Sequence, residues 1–140
     1  MIIVVAVISV VGILSAPAGI QFYRTQTING IQTQLADTLQ RARSQSVAQK
    51  NDSQFGIYLS SSVASQYVLY QGASYATRDA TLDEPYQILP STTIVFPGSN
   101  TEIDFTKHTG MPSATGTITI TRDSLTRTIV IDTYGNVTAP

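Results

Sequence analysis

Few residues of this 140-residue chain are of the types that do chemistry, and their spacing matches no catalytic pattern. The chain has no cysteine and one histidine, His108, which lies in a predicted turn and is most simply an exposed loop residue. Asp79, Asp83 and Glu84 could offer oxygen ligands to calcium, but their spacing is not that of an EF-hand, and solvated loop acids are the simpler interpretation. No P-loop or G-x-S-x-G motif is present. We therefore expect no enzymatic activity, no cofactor and no metal site.

Overall charge and composition narrow the class of protein further. The chain has 8 Lys and Arg against 9 Asp and Glu, a net charge of −1, and only 12% of its residues are charged. Nucleic-acid binding needs a basic face, so no direct nucleic-acid partner is expected. A hydrophobic content of 42% is too high for a disordered chain. A structural or binding protein remains.

The first twenty residues, Met1–Ile20, contain no charged side chain. As a helix this segment would span about 30 Å, the thickness of a bilayer's hydrocarbon core. A signal peptide would have positive charge before a shorter apolar core, and a buried core helix would be striped. We therefore predict that residues 1–23 form a helix that inserts in a membrane or a filament core.

Gly12, Pro17 and Gly19 lie within that predicted helix. Proline removes a helical hydrogen bond and costs about 3 kcal/mol in a helix interior, so a simple anchor would be better without it. Glycine and proline are nevertheless common in membrane helices, which makes a tolerated kink an equal alternative. The functional hypothesis is that these three residues form a zone that bends or unwinds.

The helix is predicted to continue over residues 24–52, with one apolar stripe on an otherwise polar surface. The stripe residues recur at steps of three and four, which is the spacing of an amphipathic helix. They are Ile28, Ile31, Leu35, Leu39 and Ala42. A helix of about 50 residues would be on the order of 75 Å long, more than a small head is wide. Part of it should therefore stand clear of its own domain and be covered by other molecules, while the stripe packs on the sheet or on another subunit.

Charge also divides along the chain. Residues 21–50 carry four positive side chains and one negative, and residues 51–140 carry four positive and eight negative. This division is typical of a solubilising surface, but it also allows the helix of one copy to attract the head of another.

Residues 53–140 are predicted to form a head built on an antiparallel sheet. Apolar residues alternate with polar ones at Phe55–Leu59, Ile103–Phe105, Ile118–Ile120 and Ile129–Ile131, and short β-rich runs lie at Tyr67–Tyr70 and Ile94–Phe96. Residues 122–126 should be the loop of a hairpin, 134–136 a second turn, and residues 72–92, with two prolines, a loop. One long helix on one face of a meander is an α+β fold.

These features together resemble the type IV pilins and the pseudopilins of type II secretion. The resemblance is carried by the opening IIVVAVISVVGIL, Pro17, the amphipathic continuation and the threonine-rich sheet. The stretch LADTLQRARSQSVAQKNDSQFGIYL is similar to H-type pseudopilins, as are IVFPG, the strand from Gly116 and the Arg127–Val137 stretch. The resemblance implies the pilin fold, with the long helix kinked or partly unwound near Pro17.

The same resemblance implies a life cycle and partners. A prepilin peptidase would cut a leader, and copies of the chain would leave the cytoplasmic membrane and polymerise into a surface filament with a platform protein and a motor ATPase. The residues expected to assemble the filament are Met1, Ile2, Ile3, Val4, Val5, Val7, Ile8, Val10, Val11, Ile13, Leu14 and Ile20.

The sequence departs from the family pattern at its start. Family members have a short stretch with a glutamate before the apolar run, and Met1 stands where the residue after that glutamate would be. We expect residues upstream of Met1 in the native protein. A basic leader there would also reverse the orientation that Arg24 alone predicts from the positive-inside rule.

Three functions remain open at this point. The first is a pilin of a type IV pilus, for adhesion, motility or surface contact. The second is a pseudopilin of a type II secretion or competence (DNA-uptake) fibre. The third belongs to a different class, a membrane-anchored monomeric binding domain whose ligand sits in the 72–92 loop.

Overall fold

A computed structural model describes the backbone of residues 2–60 and 66–140, and within those ranges the side chains from residue 19 onwards. One helix, α1 (Ile2–Val47), takes up 46 residues, which corresponds to about 69 Å at the rise of an α-helix. The rest of the described chain forms a β-rich head beside the second half of α1. The fold is α+β, a long helix packed on antiparallel sheets.

Helix α1 is unbroken through Gly12, Pro17 and Gly19. The partial unwinding predicted near Pro17 is therefore absent from the backbone described here. A single proline removes only one N–H from the helical ladder, and the hydrogen bonds on either side can hold the turn together. Bending or unwinding of this zone in a filament stays a prediction.

The head contains two four-stranded antiparallel sheets in the described residues, not the single meander that the sequence predicts. The strands are β1 (Phe55–Leu59), β2 (Gln66–Gln71), β3 (Glu84–Gln87), β4 (Thr92–Val95), β5 (Glu102–Phe105), β6 (Gly116–Arg122), β7 (Leu125–Ile131) and β8 (Val137–Thr138). The first sheet has the order β3-β2-β1-β5 and the second β4-β6-β7-β8. Both sheets contact α1, through β1 and β5 of the first and β6, β7 and β8 of the second.

Strand β3 lies inside the segment predicted to be a loop. The sequence does not predict this strand because it contains Pro85. A proline usually marks a turn and cannot donate a hydrogen bond to a neighbouring strand. Here β3 is the edge strand of the first sheet, and Pro85 stands opposite Val68 of β2. An edge strand needs hydrogen bonds on one side only and can therefore accept a proline.

The core lies between α1 and the inner faces of the two sheets. All five stripe residues are buried, with Ile28, Leu35, Leu39 and Ala42 fully inaccessible and Ile31 8% exposed. They belong to one hydrophobic cluster with strand residues of both sheets. The stripe is therefore covered by the chain's own head.

The hairpin between β6 and β7 is confirmed, with a tighter connection than the predicted loop of residues 122–126. Arg122 pairs with Leu125, so only Asp123 and Ser124 form the turn. Both have positive φ, 48° and 68°, which is the conformation of a type I′ turn. The turn contains no glycine, and this is why the sequence suggests a longer loop.

Candidate assembly surface

Residues Gly19–Thr27 of α1, here called the neck, precede the first buried stripe residue and carry large apolar side chains in solvent. Ile20 is 55% exposed, Phe22 67% and Tyr23 72%. Large exposed apolar groups that occur close together often mark surfaces that contact other molecules. The neck thus presents three large apolar or aromatic side chains that the head does not cover.

A groove opens beside the neck, between α1 and the end of the first sheet. This base groove has a volume of about 420 Å³. Its lining residues are Gln26, Thr27, Gly30, Ile31 and Gln34 of α1, with Tyr67, Gln87, Ile88 and Leu89 of the head. None of these side chains is charged, and Leu89 is 48% exposed at the rim.

Tyr67, in the wall of the base groove, contacts a second aromatic ring and a hydroxyl of α1. Tyr67 stacks on Tyr86 with ring centroids 5.1 Å apart and an interplanar angle of 5°, and its hydroxyl lies 3.5 Å from Thr38 Oγ1. Burial raises the pKa of Tyr67 to about 12. Gly30 forms part of the helix side of the groove, where an added Cβ would meet no atom within 4 Å.

A second groove lies at the other end of the head, beside the last turns of α1. This upper groove has a volume of about 580 Å³ and is lined by Gln40, Arg43, Ser44, Val47, Ala48, Gly135, Asn136 and Val137. Arg43 donates from Nη2 to the carbonyl oxygen of Tyr134 at 3.0 Å. Its Nε is buried without a hydrogen-bond partner among the described residues. The upper groove is therefore more polar than the base groove.

The sequence suggests that positive charges on the helix of one copy attract the acidic head of another copy. A positive charge of the helix instead forms an ion pair within the same chain. Arg41 of α1 forms a two-pronged ion pair with Glu84 of β3, with N–O distances of 2.7 and 2.6 Å. The hydrogen bond with Glu84 raises the pKa of Arg41. Arg24 and Lys50 take part in no ion pair of the described residues.

The acids considered as calcium ligands have separate partners. Asp79 accepts from the backbone N–H of Thr81 at 3.0 Å and from its hydroxyl at 2.6 Å, and these bonds lower the pKa of Asp79. Asp83 pairs with Arg78 at 2.8 Å. Across residues 2–60 and 66–140 no group of three or more potential metal ligands comes together. His108 lies exposed in a turn with φ of 70°.

The segment before β3, which the third hypothesis treats as a ligand loop, folds onto the outer face of the first sheet. The ring of Tyr75 stacks on Tyr58 with centroids 3.6 Å apart, and the guanidinium of Arg78 lies 3.5 Å from the centroid of the Tyr75 ring. Glu102 accepts from the backbone N–H of Tyr75 at 2.8 Å and from the hydroxyl of Tyr70 at 3.3 Å. Burial raises the pKa of Tyr70 well above its ordinary value. These aromatic faces are occupied by the chain's own residues.

The side chains of the predicted filament-assembly residues from Met1 to Leu14 lie outside the described residues, and Ile20 is the exception. Of the predicted flexible zone, Gly19 has described surroundings, and an added Cβ there would meet nothing within 4 Å. Among the residues that the structure describes, no helix is both long enough and apolar enough to cross a bilayer.

Two residues that fix α1 to the head were not singled out from the sequence. Gln32 is 7% exposed and donates to the carbonyl of Thr128 at 2.8 Å and to that of Pro140 at 3.3 Å. Ser46 is fully buried and bonds to the start of β1. In the sequence, Gln32 and Ser46 are marked only by being polar residues beside the apolar stripe of α1.

A long helix whose second half is covered by a β-rich head, and whose neck is bare, is the architecture of the pilin class. The family model of the type II transport protein GspH matches residues 32–135, more than half of the chain. The chain belongs to this family of pilins and pseudopilins, and the resemblance seen in its sequence is confirmed.

A solved structure shows the same fold. The crystal structure of the type IV minor pilin FimU of Pseudomonas aeruginosa is similar with a TM-score of 0.69 and 16% sequence identity. The similarity covers 85% of this chain and 92% of that one. No curated protein is significantly similar to the chain in sequence.

Proposed function

We propose that this chain is a structural subunit of a type IV pilus and that it polymerises through its apolar N-terminal helix. The filament would serve adhesion, motility or surface contact. The carrying observation is that α1 begins at Ile2 and its first buried stripe residue is Ile28, so a long piece of helix precedes the part that the head covers. The similarity to FimU, a type IV minor pilin, supports the same proposal.

The free energy that holds the filament together must come mainly from contacts other than the hydrophobic effect on the apolar helix. In a bilayer the apolar helix is already in an apolar medium, so moving it into a filament core gains little hydrophobic free energy. Close packing between helices and burial of the exposed neck must then hold the polymer. Because the stripe from Ile28 to Ala42 is buried in its own chain, it does not supply that contact. Extraction from the membrane requires work from a motor ATPase acting through a platform protein.

The zone of Gly12, Pro17 and Gly19 is proposed to let helices in the filament core adjust their length. Cryo-electron microscopy of a filament would test this part separately. We expect irregular helix between residues 12 and 20 in the filament, in contrast to the unbroken α1 of the single chain. A regular helix through this zone in the filament would contradict it.

A second candidate is a pseudopilin of a type II secretion or competence fibre, with the same architecture and a short fibre. The family description, type II transport protein, favours this candidate. Fibre length separates the two, because a pilus subunit should be found in long filaments sheared from cells, and a pseudopilin in short fibres that do not leave the envelope.

The test of polymerisation is to express the complete gene product with the assembly machinery of its own cell. Sheared surface material is then examined by negative-stain microscopy with an antibody against the head. Labelled filaments are the expected result. A chain that is never labelled in fibres, and that stays monomeric when mild detergent is removed, would instead support the membrane-anchored binding domain.

A further inference from the structure

Phe22 is an exposed aromatic side chain that the chain itself cannot cover. Its side chain is 67% exposed. Gly30 follows eight residues later, which on an α-helix is about 12 Å along the axis and about 80° around it. Phe22 is not among the residues that line the base groove. It therefore cannot fill the groove of its own molecule.

The base groove has the shape and chemistry to take such a ring. Ile31 and Ile88, each 8% exposed, lie among its lining residues. Gly30 adds no side chain to the space, and the stacked pair of Tyr67 and Tyr86 fixes one wall. A preformed apolar pocket for an aromatic anchor is the arrangement that concentrates binding energy at interfaces.

We infer that Phe22 of one copy seats in the base groove of the next copy, against Gly30. This inference rests on the proposed polymerisation and names the contact that produces it. The groove lining has no charged residue, and residues 1–23 have none either. Arg24, the charged residue of the neck, lies about 200° around the helix from Phe22 and so does not enter the groove with it. A charged partner would be left without compensation there, whereas a second copy supplies a neutral aromatic.

The geometry of the two surfaces favours a filament over a closed dimer. Phe22 lies about 12 Å from Gly30 along α1, so two copies whose helices run parallel can make this contact only when one copy is displaced along the axis. After one such contact, the first copy still has a free groove and the second a free ring. Such a heterologous contact repeats without closing when the rotation does not return to the start. Successive copies would be displaced by about 12 Å along the helix axis, the spacing between the two surfaces.

Engineered disulfides test the contact directly, because the chain has no cysteine. The variant carries Phe22→Cys and Gly30→Cys in one chain and is expressed with its assembly machinery. The two Cα atoms of one chain are too far apart for a disulfide, which needs less than about 7 Å. A ladder of covalent multimers on oxidation is the expected result. Each single substitution should give no ladder, and Phe22→Cys with Thr121→Cys, on an exposed position of β6, is the matched control pair.

Filling the groove gives an independent test. Gly30→Leu should place a side chain in the groove and lower the assembled fraction at least tenfold, while Gly30→Ala should assemble like the natural chain. Both variants should fold, because an added Cβ meets nothing and a helix interior prefers either residue to glycine. Phe22→Ala should also lower the assembled fraction, and adding it to Gly30→Leu should lower that fraction little further, because both substitutions remove the same contact.

The outcomes separate the two proposals. Filaments that form without the ladder, or that form equally well with Gly30→Leu, would overturn this contact and leave the proposed function standing. A dimer with Phe22→Cys alone would also overturn it, since that requires a symmetric contact. If the natural chain forms no filament, the proposed function and this inference fail together.

Discussion

The backbone N–H of Phe55, the first residue of β1, donates to the hydroxyl of Ser46 in the last turns of α1 at 2.8 Å. The same hydroxyl donates to the carbonyl of Ala42 at 3.0 Å. Ser46 is fully inaccessible to solvent. The end of α1 and the start of the first sheet are thereby joined through one buried side chain, at the place where the chain reverses direction.

Ser46→Ala should destabilise the protein. The substitution removes the buried hydroxyl that accepts from the N–H of Phe55, and losing such a partner costs about 1–3 kcal/mol in free energy of unfolding. Urea denaturation of the full chain in detergent, followed by circular dichroism, measures this loss. Ser44→Ala, at an exposed position of the same turn, is the control and should change the free energy of unfolding by less than about 0.5 kcal/mol. Equal stabilities of the two variants would show that the bond to Phe55 contributes nothing.

Gly135→Ala should be much more costly than Gly98→Ala, although both glycines have positive φ, 79° and 65°. A Cβ at Gly135 would lie 2.2 Å from the carbonyl oxygen of Gly110, whereas at Gly98 the nearest atom is 3.4 Å away. We expect a loss of at least about 3 kcal/mol at Gly135, and about 1 kcal/mol from backbone strain alone at Gly98. Thermal unfolding of the two variants compares them. A similar cost at both positions would mean that the backbone around Gly110 moves aside.

The ion pair of Arg41 and Glu84 should contribute little stability despite its two short hydrogen bonds. Both side chains are about two-fifths exposed, at 42% and 43%, so water and salt weaken the attraction. A double-mutant cycle with Arg41→Ala and Glu84→Ala should give a coupling of less than about 1 kcal/mol that falls further at high salt. A coupling that salt leaves unchanged would indicate a pair shielded from solvent.

The turn after β7 should loosen in acid. The carboxylate of Asp132 accepts from the side-chain amide and the backbone N–H of Asn136 and from the N–H of Tyr134, at 2.7, 2.8 and 2.8 Å. These bonds lower the pKa of Asp132 below its ordinary value of 3.8. Because the folded pKa is the lower one, the stabilisation is complete above pH about 4 and is lost as the pH falls through the folded value.

Nuclear magnetic resonance of the Tyr134 and Asn136 amides against pH measures this titration. We expect one shared inflection below 3.8. It should vanish in Asp132→Asn, and amides that titrate unchanged in that variant would contradict the assignment.

The helix stripe and most strands could be predicted, because helical spacing and strand alternation are local signals that burial of one face imposes. Ile28 to Ala42 and the alternation at Phe55 to Leu59 are examples. The division into two sheets could not be predicted from the sequence. Alternation shows which residues face a core, but it does not show which strands pair with each other. Strand β3 was missed for a related reason. A proline such as Pro85 is tolerated only in an edge strand, and the sequence does not show which strand lies at the edge.

The candidate contact surface was only half visible in the sequence. Phe22 of the neck belongs to the uncharged segment of residues 1–23, which is evident in the sequence. The base groove could not be predicted from the sequence. Gly30 lines a groove only because Tyr67 and Leu89, which are distant in sequence, pack beside it in the fold. By itself, a glycine within a helix indicates only a locally less stable helix.

The hydrogen bond from Gln32 to the Thr128 carbonyl joins residues 96 positions apart. During translation the stripe of α1 emerges from the ribosome early, and the strand that covers much of it is among the last segments made. The nascent chain therefore exposes Ile28 to Ala42 until synthesis is nearly finished. We expect this protein to depend on a chaperone or on co-translational targeting for as long as that face is uncovered.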